Sequence, residues 1–316
     1  MHHLSRFFLA FAVLLTSCST DQEVFSDLEG GLFEMDIPAD NPINPQAAAL
    51  GEALFFDPIL SLDSSVSCAN CHKPTHAFAD DQAISPGVDG ALSTRNSPSL
   101  LNVGYRPYFM REGGVPTLEM QVLVPLQDEN EMHHNVVDAV RRINQTAYKN
   151  DFVDIYGDSA TAYLLVRALA NYERTLIDFD RPIDRFIAGT SRLSTEAYKG
   201  GELFYGKAAC ANCHSGMLFT DFSFANNGTS IQHPEDLGRQ RLTNNPDDKY
   251  LFMIPSLKHV SQTSPYMHDG SIASLSDVIA QYNAGGSGHE YTDGRIQPLG
   301  LSKIEIAQLL AFLETL

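Results

Sequence analysis

The sequence has no tryptophan, only five cysteines, and only 21 Lys and Arg residues among 316. Those basic residues face 39 Asp and Glu, for a formal net charge of -18. So acidic a chain does not grip nucleic-acid phosphates by general electrostatics. It attracts a basic protein partner and repels anionic substrates. No apolar run is long enough for a permanent membrane span; Phe7 to Leu15, the longest, has nine residues. Alternating strand patterns are sparse, which points away from a sheet-based fold. With 43% hydrophobic and 19% charged residues, the chain is neither disordered nor a membrane bundle.

The cysteines are Cys18, Cys68, Cys71, Cys210 and Cys213. Four of them form two C-x-x-C pairs, each followed at once by histidine: Cys68-Ala69-Asn70-Cys71-His72 and Cys210-Ala211-Asn212-Cys213-His214. C-x-x-C-H is the attachment pattern of c-type haem. Two thiols add to the two vinyl groups on one porphyrin edge, and the next residue sets an imidazole beneath the iron. A four-thiolate zinc site, redox dithiols and structural disulfides compete with this reading. None of them requires His72 and His214. Two c-type haems are therefore expected, held by Cys68, Cys71, Cys210 and Cys213.

At the amino terminus Arg6 precedes the apolar run, which leads straight into Leu15-Thr16-Ser17-Cys18. Residues 1–17 read as an export signal. The tetrapeptide resembles the lipobox of bacterial lipoproteins, whose cysteine becomes the lipidated first residue. A plain signal peptide with an incidental cysteine is the alternative. The expectation is a periplasmic protein that meets the membrane only through a lipid anchor on Cys18. Residues 18–45, polar and acidic with Pro38, Pro42 and Pro45, read as a flexible tether.

Similar sequence surrounds the two haem motifs. Gly51-Glu52-Ala53-Leu54-Phe55-Phe56 precedes the first and Gly201-Glu202-Leu203-Phe204-Tyr205 the second; Phe78-Ala79-Asp80 and Phe219-Thr220-Asp221 follow them. The chain reads as two related modules, 46–190 and 191–316, with a linker near 181–193. Periodicity and caps predict helices over Thr117 to Val124, Val136 to Tyr148, Ala160 to Leu176 and Ser194 to Tyr205. The capping box Ser302-Lys303-Ile304-Glu305 opens a terminal helix. The polar stretches 80–100 and 220–250 read as loops. The fold class is mainly α with much irregular structure.

These residues resemble the bacterial dihaem cytochrome c peroxidases and the related MauG-type proteins. The markers are Leu54-Phe55-Phe56-Asp57, Arg95-Asn96-Ser97-Pro98-Ser99-Leu100-Leu101-Asn102, Glu131-Met132-His133 and Pro265-Tyr266-Met267-His268-Asp269-Gly270, together with the two haem motifs. The resemblance covers about Asn44 to Leu316. It implies two cytochrome c-like haem domains with long loops, a calcium ion between them, and reduction of hydrogen peroxide to water. Electrons would come from a small redox protein, a cytochrome c or a cupredoxin. A homodimer is compatible with it.

The resemblance also assigns roles. His72 and His214 are the proximal iron ligands. The amino-terminal haem is the peroxide site, with Gln121 and Glu131 above it and Glu131 as proton shuttle. In many relatives a loop histidine caps this haem; here Val88 stands at that position, and His76 is too near His72 to cross to the opposite face. The peroxide site is therefore expected to be open or water-bound. On the second haem the matching distal position is Tyr282, with Met267 as rival. Asn96, Thr263 and Pro265 match the calcium positions. Many relatives carry a Trp between the haems; the matching region here is Met110-Arg111-Glu112-Gly113-Gly114, which leaves Tyr105, Tyr108 or Phe109 as aromatic substitutes. A MauG-type oxidase of a protein or organic substrate and a non-enzymatic electron shuttle are the competing functions.

Overall fold

Asn44 accepts the backbone N–H groups of Gln46 and Ala47, and Pro45 occupies the first turn, so the first helix begins there: α1, Pro45–Phe56. The computed structural model describes residues 24–31, 34–229 and 234–316. Within the first half follow α2 (Cys68–Cys71), α3 (Leu118–Gln127), α4 (Val136–Ile143), α5 (Tyr148–Tyr156) and α6 (Ala162–Thr175). Then come α7 (Pro182–Ile187), α8 (Thr195–Tyr205), α9 (Gln240–Thr243), α10 (Leu275–Asn283) and α11 (Lys303–Leu313). Two short strands, β1 (Phe224–Ala225) and β2 (Phe252–Met253), pair antiparallel. The predicted mainly helical class holds.

The apolar side chains gather in two clusters. One centres on Leu54, Phe55, Phe152 and Leu165, where α1 packs on α6. The other centres on Phe204, Phe219 and Phe312, where α8 packs on α11. Each main crossing places a glycine of one helix against the backbone of the other: Gly51 against Ala168, and Gly200 against Gln308.

The repeat seen around the cysteines extends much further in three dimensions. Asn102 and His259 both adopt left-handed backbone, φ 58° and 60°, each opening a short 3-10 turn. Met110 and Met267 repeat the left-handed conformation, and the bridge Phe109–Val115 repeats as Tyr266–Ile272. Thr117 caps α3 as Ser274 caps α10. At the junction the two halves exchange matching hydrogen bonds. Asn96 N–H donates to the His268 carbonyl at 2.9 Å, and Met253 N–H donates to the Arg111 carbonyl at 2.7 Å. Asn96 and Met253 lie 157 residues apart along the chain, and so do Arg111 and His268, so the exchange has the reciprocity of a pseudo-two-fold axis.

Several boundaries differ from expectation. Helix α3 runs past Val124 through Pro125 to Gln127, forgoing the one backbone bond that a proline cannot donate. The expected helix from Val136 to Tyr148 divides into α4 and α5 around a turn at Asn144 to Thr146. The expected linker contains α7, whose Ile183 is fully buried and whose Asp184 pairs with buried Lys258. The expected tether is anchored over its described part. Phe25 is buried edge-on against Phe186, Tyr198 and Tyr205, and Asn41 is buried beside Glu119 and Asn171. An aromatic that fits a core outweighs the polar composition around it. The export signal and Cys18 lie outside the described residues.

Candidate functional site

Ser67 caps α2 with a reciprocal Ser67–Asn70 box, and this one-turn helix carries both Cys68 and Cys71. A 3-10 turn over Cys210–Asn212 presents Cys210, with Cys213 next. All four thiols are free, and the pairs line different cavities. That separation removes the shared zinc site. Burial pushes Cys71 up to about 11 and Cys210 up to about 12. Burial therefore works against the activated thiolate that a redox dithiol needs.

Each histidine after the pairs is held through its Nδ1. His72 Nδ1 meets the carbonyls of Phe78 and Pro98, both at 3.1 Å. His214 Nδ1 meets the Phe219 carbonyl at 3.0 Å. An Nδ1–H bonded to a carbonyl leaves neutral Nε2 available to a metal. Burial lowers the pKa of both imidazoles, which favours the neutral, ligating form.

The first cavity, about 700 Å³, is lined by Cys68, Cys71, His72, Gln121, Glu131 and the apolar side chains around them. The second, about 310 Å³, contains Cys210, Cys213, His214, Met267 and Tyr282. Thiols, an anchored imidazole and an apolar wall in each cavity fit one covalently attached haem apiece.

Gln121 on α3 and Glu131 just beyond it enter the same cavity as His72. The Gln121 Oε1 is buried without a hydrogen-bond partner. Burial, with a smaller push from Asp128, raises Glu131 to about 7. Val88 is buried in the first core, and its N–H donates to the Glu131 carbonyl at 2.9 Å. His76 turns elsewhere, its Nε2 on the Ser264 carbonyl.

In the second cavity Tyr282, on α10, and Met267 meet at one residue. The Asn227 amide donates to Met267 Sδ at 3.0 Å and also faces the Tyr282 hydroxyl. Burial raises the tyrosine pKa, which favours the protonated phenol. Of the three aromatic substitutes, Phe109 lines the first cavity, Tyr108 is half exposed, and Tyr105 packs edge-on against Phe179.

Asn96, Thr263 and Pro265 do come together in the wall of the second cavity. They do not fit a calcium ion there. Both oxygens of Asn96 already accept hydrogen bonds from Arg111: Oδ1 at 2.9 Å and the carbonyl at 2.8 Å. A guanidinium stands against the oxygens that a hard cation would need.

Sequence reasoning missed Arg106, Arg111, Glu173 and Asn227. Arg106 and Arg111 line both cavities, and burial lowers each to about 10. Glu173 lines the first cavity with Oε2 unpartnered, and burial raises it to about 8. Its signal was available: it follows Leu165 and Leu169 at helical spacing on the buried face of α6.

Comparison with known proteins agrees with this construction. A family model described as di-haem cytochrome c peroxidase matches residues 45–192. The methylamine utilization protein MauG of Methylorubrum extorquens is 36% identical over 88% of this chain and 80% of its own length. The cytochrome-c peroxidase IdrP1 of Denitromonas iodatirespirans is 34% identical over 100% of this chain and 94% of its own. Among solved structures, a MauG-like protein associated with microbial copper homeostasis superposes with TM-score 0.84 at 29% identity, over 90% of this chain and 93% of that one. The kinship runs through both cavities and nearly the whole length, and on it the chain belongs to the dihaem cytochrome c peroxidase and MauG family.

Proposed function

We propose that the protein is a dihaem peroxidase that reduces hydrogen peroxide to water at the His72 cavity, with electrons from a small redox protein, a cytochrome c or a cupredoxin. What carries this reading is Glu131: a half-buried carboxyl in the cavity of Cys68, Cys71 and His72, where desolvation raises its pKa to about 7. Haem held by His72 would supply an open coordination position and pass on the electrons. Glu131 would take a proton from one peroxide oxygen and return it to the other, the transfer that O–O cleavage needs. Gln121 offers a buried acceptor for a peroxide O–H. His214, with Tyr282 or Met267, would hold the second haem as electron relay.

The test is direct. Mixing the holoprotein with hydrogen peroxide and a reduced small cytochrome should oxidise the cytochrome catalytically. The oxidised protein should show a five-coordinate or water-bound haem before any reduction. A spectrum with bis-histidine ligation at the first haem would contradict the open site. The buried Tyr282 favours a second reading, a MauG-type oxidase. Peroxide that changes the haem spectrum without oxidising the cytochrome would select it. An electron shuttle would instead show two low-spin haems and no reaction with peroxide.

We also propose a periplasmic location with Cys18 lipidated. Cys18→Ser should move the protein from the membrane fraction to the soluble fraction. Retention of the variant in the membrane would remove the anchor.

A further inference from the structure

We propose that the Arg111 guanidinium is this chain's built-in replacement for a divalent cation between the two haem cavities. Arg111 lines both cavities. Its Nη2 donates to the Asn96 carbonyl at 2.8 Å and to Asn96 Oδ1 at 2.9 Å, and its Nε adds a longer bond to that carbonyl at 3.3 Å. The amide cannot easily turn away, because Asn96 Nδ2 donates to the Gln82 carbonyl at 3.1 Å. Both backbones are pinned as well, Asn96 by the His268 carbonyl and Arg111 by the Met253 N–H. The contact therefore sits at the centre of the pseudo-two-fold junction.

The donor chemistry decides between the two cations. A calcium ion takes six to eight oxygens at about 2.3–2.6 Å, and carboxylates usually supply part of the charge. The expected donors here, Asn96 with Thr263 and Pro265, carry no carboxylate to offset the positive charge of Arg111 beside them. The neutral oxygens of Asn96 are taken by a planar cation that reaches them from one side. A divalent ion bound to the same oxygens would lie against a guanidinium and be repelled by it. Arg111 belongs to the segment that matches the relatives' inter-haem Trp region, so one substituted segment accounts for both departures. The inference rests on the two-haem architecture and is independent of which substrate is oxidised or reduced.

The holoprotein is dialysed against calcium chloride and then metal-free buffer, and its calcium is counted against its haem iron. Absorption spectra are recorded with EGTA and with added calcium. The expected result is substoichiometric calcium and unchanged spectra. One calcium retained per chain, or a haem spectrum that shifts with EGTA, would overturn the proposal. Arg111→Ala, loaded with both haems, should gain one bound calcium and a calcium-sensitive spectrum. A haem-loaded variant that stays indifferent to calcium would also overturn it. If the variant does not fold, the calcium count of the unaltered protein decides alone.

Discussion

Glu131→Gln lowers peroxidase turnover by ~10²-fold or more while both haems stay attached. The amide keeps the size of the side chain and some of its hydrogen bonding, so cavity shape changes little. It cannot accept the peroxide proton. Haem iron content and the resting spectrum serve as controls; normal turnover by the variant would remove Glu131 from the proton path. The pH profile gives an independent reading. Burial raises Glu131 to about 7, so the proton-accepting carboxylate is lost as pH falls through neutrality. Turnover of the unaltered protein should fall there on the acid side, and the variant's residual turnover should lack that limb.

The same group affects stability with a definite sign. Its folded-state pKa lies above the ordinary 4.5, so folding favours the protonated form. Its contribution is fully favourable below about 4.5 and is lost as pH rises to about 7. Above that, keeping the carboxylate in this place costs about 3 kcal/mol. Glu131→Gln should therefore be more stable than the parent at pH 8 and lose that advantage at pH 4, as read from denaturant midpoints. A variant less stable at pH 8 would show that the carboxylate is held by favourable contacts.

Gly200→Ala disrupts the second half, and Gly51→Ala the first, each by about 3 kcal/mol or more. A Cβ at Gly200 would lie 1.9 Å from the Gln308 carbonyl oxygen and 2.8 Å from Phe312 Cβ. At Gly51 it would lie 2.0 Å from the Ala168 carbonyl oxygen and 2.9 Å from Tyr172 Cβ. The obstruction is backbone and Cβ, which no rotamer change can clear, so the helices must separate. Separation would open the clusters at Phe204, Phe312 and Phe55, which sit beside the haem cavities. Reduced covalent haem on the affected side should accompany the lost stability. Gly294→Ala is the control: nothing lies within 4 Å of its Cβ position, and its effect should stay within about 0.5 kcal/mol. Parental stability in Gly200→Ala would mean that the two helices do not cross this closely.

The local patterns were readable because they involve few residues close in sequence. C-x-x-C-H places two thiols and an imidazole within five positions, and the structure adds only the carbonyls that orient His72 and His214. Helix α11 was readable from its capping box and apolar stripe. Helix α7 was hidden because its stability comes from contacts such as Lys258 with Asp184, far apart along the chain. Phe25 was hidden in a polar stretch whose composition signalled a tether, since a single buried ring leaves no periodicity.

The amino-acid sequence by itself determined that the chain carries two haem-attachment motifs on related, mainly helical segments, because covalent spacing and helical period are properties of neighbours. Only the tertiary structure decided which charges meet at the junction. The close approach of Arg111 and Asn96, the burial that lifts Glu131, and the meeting of Tyr282 with Met267 at Asn227 all bring together or enclose residues from separate segments. Proximity and dielectric are set by packing across those segments, and no local pattern encodes them.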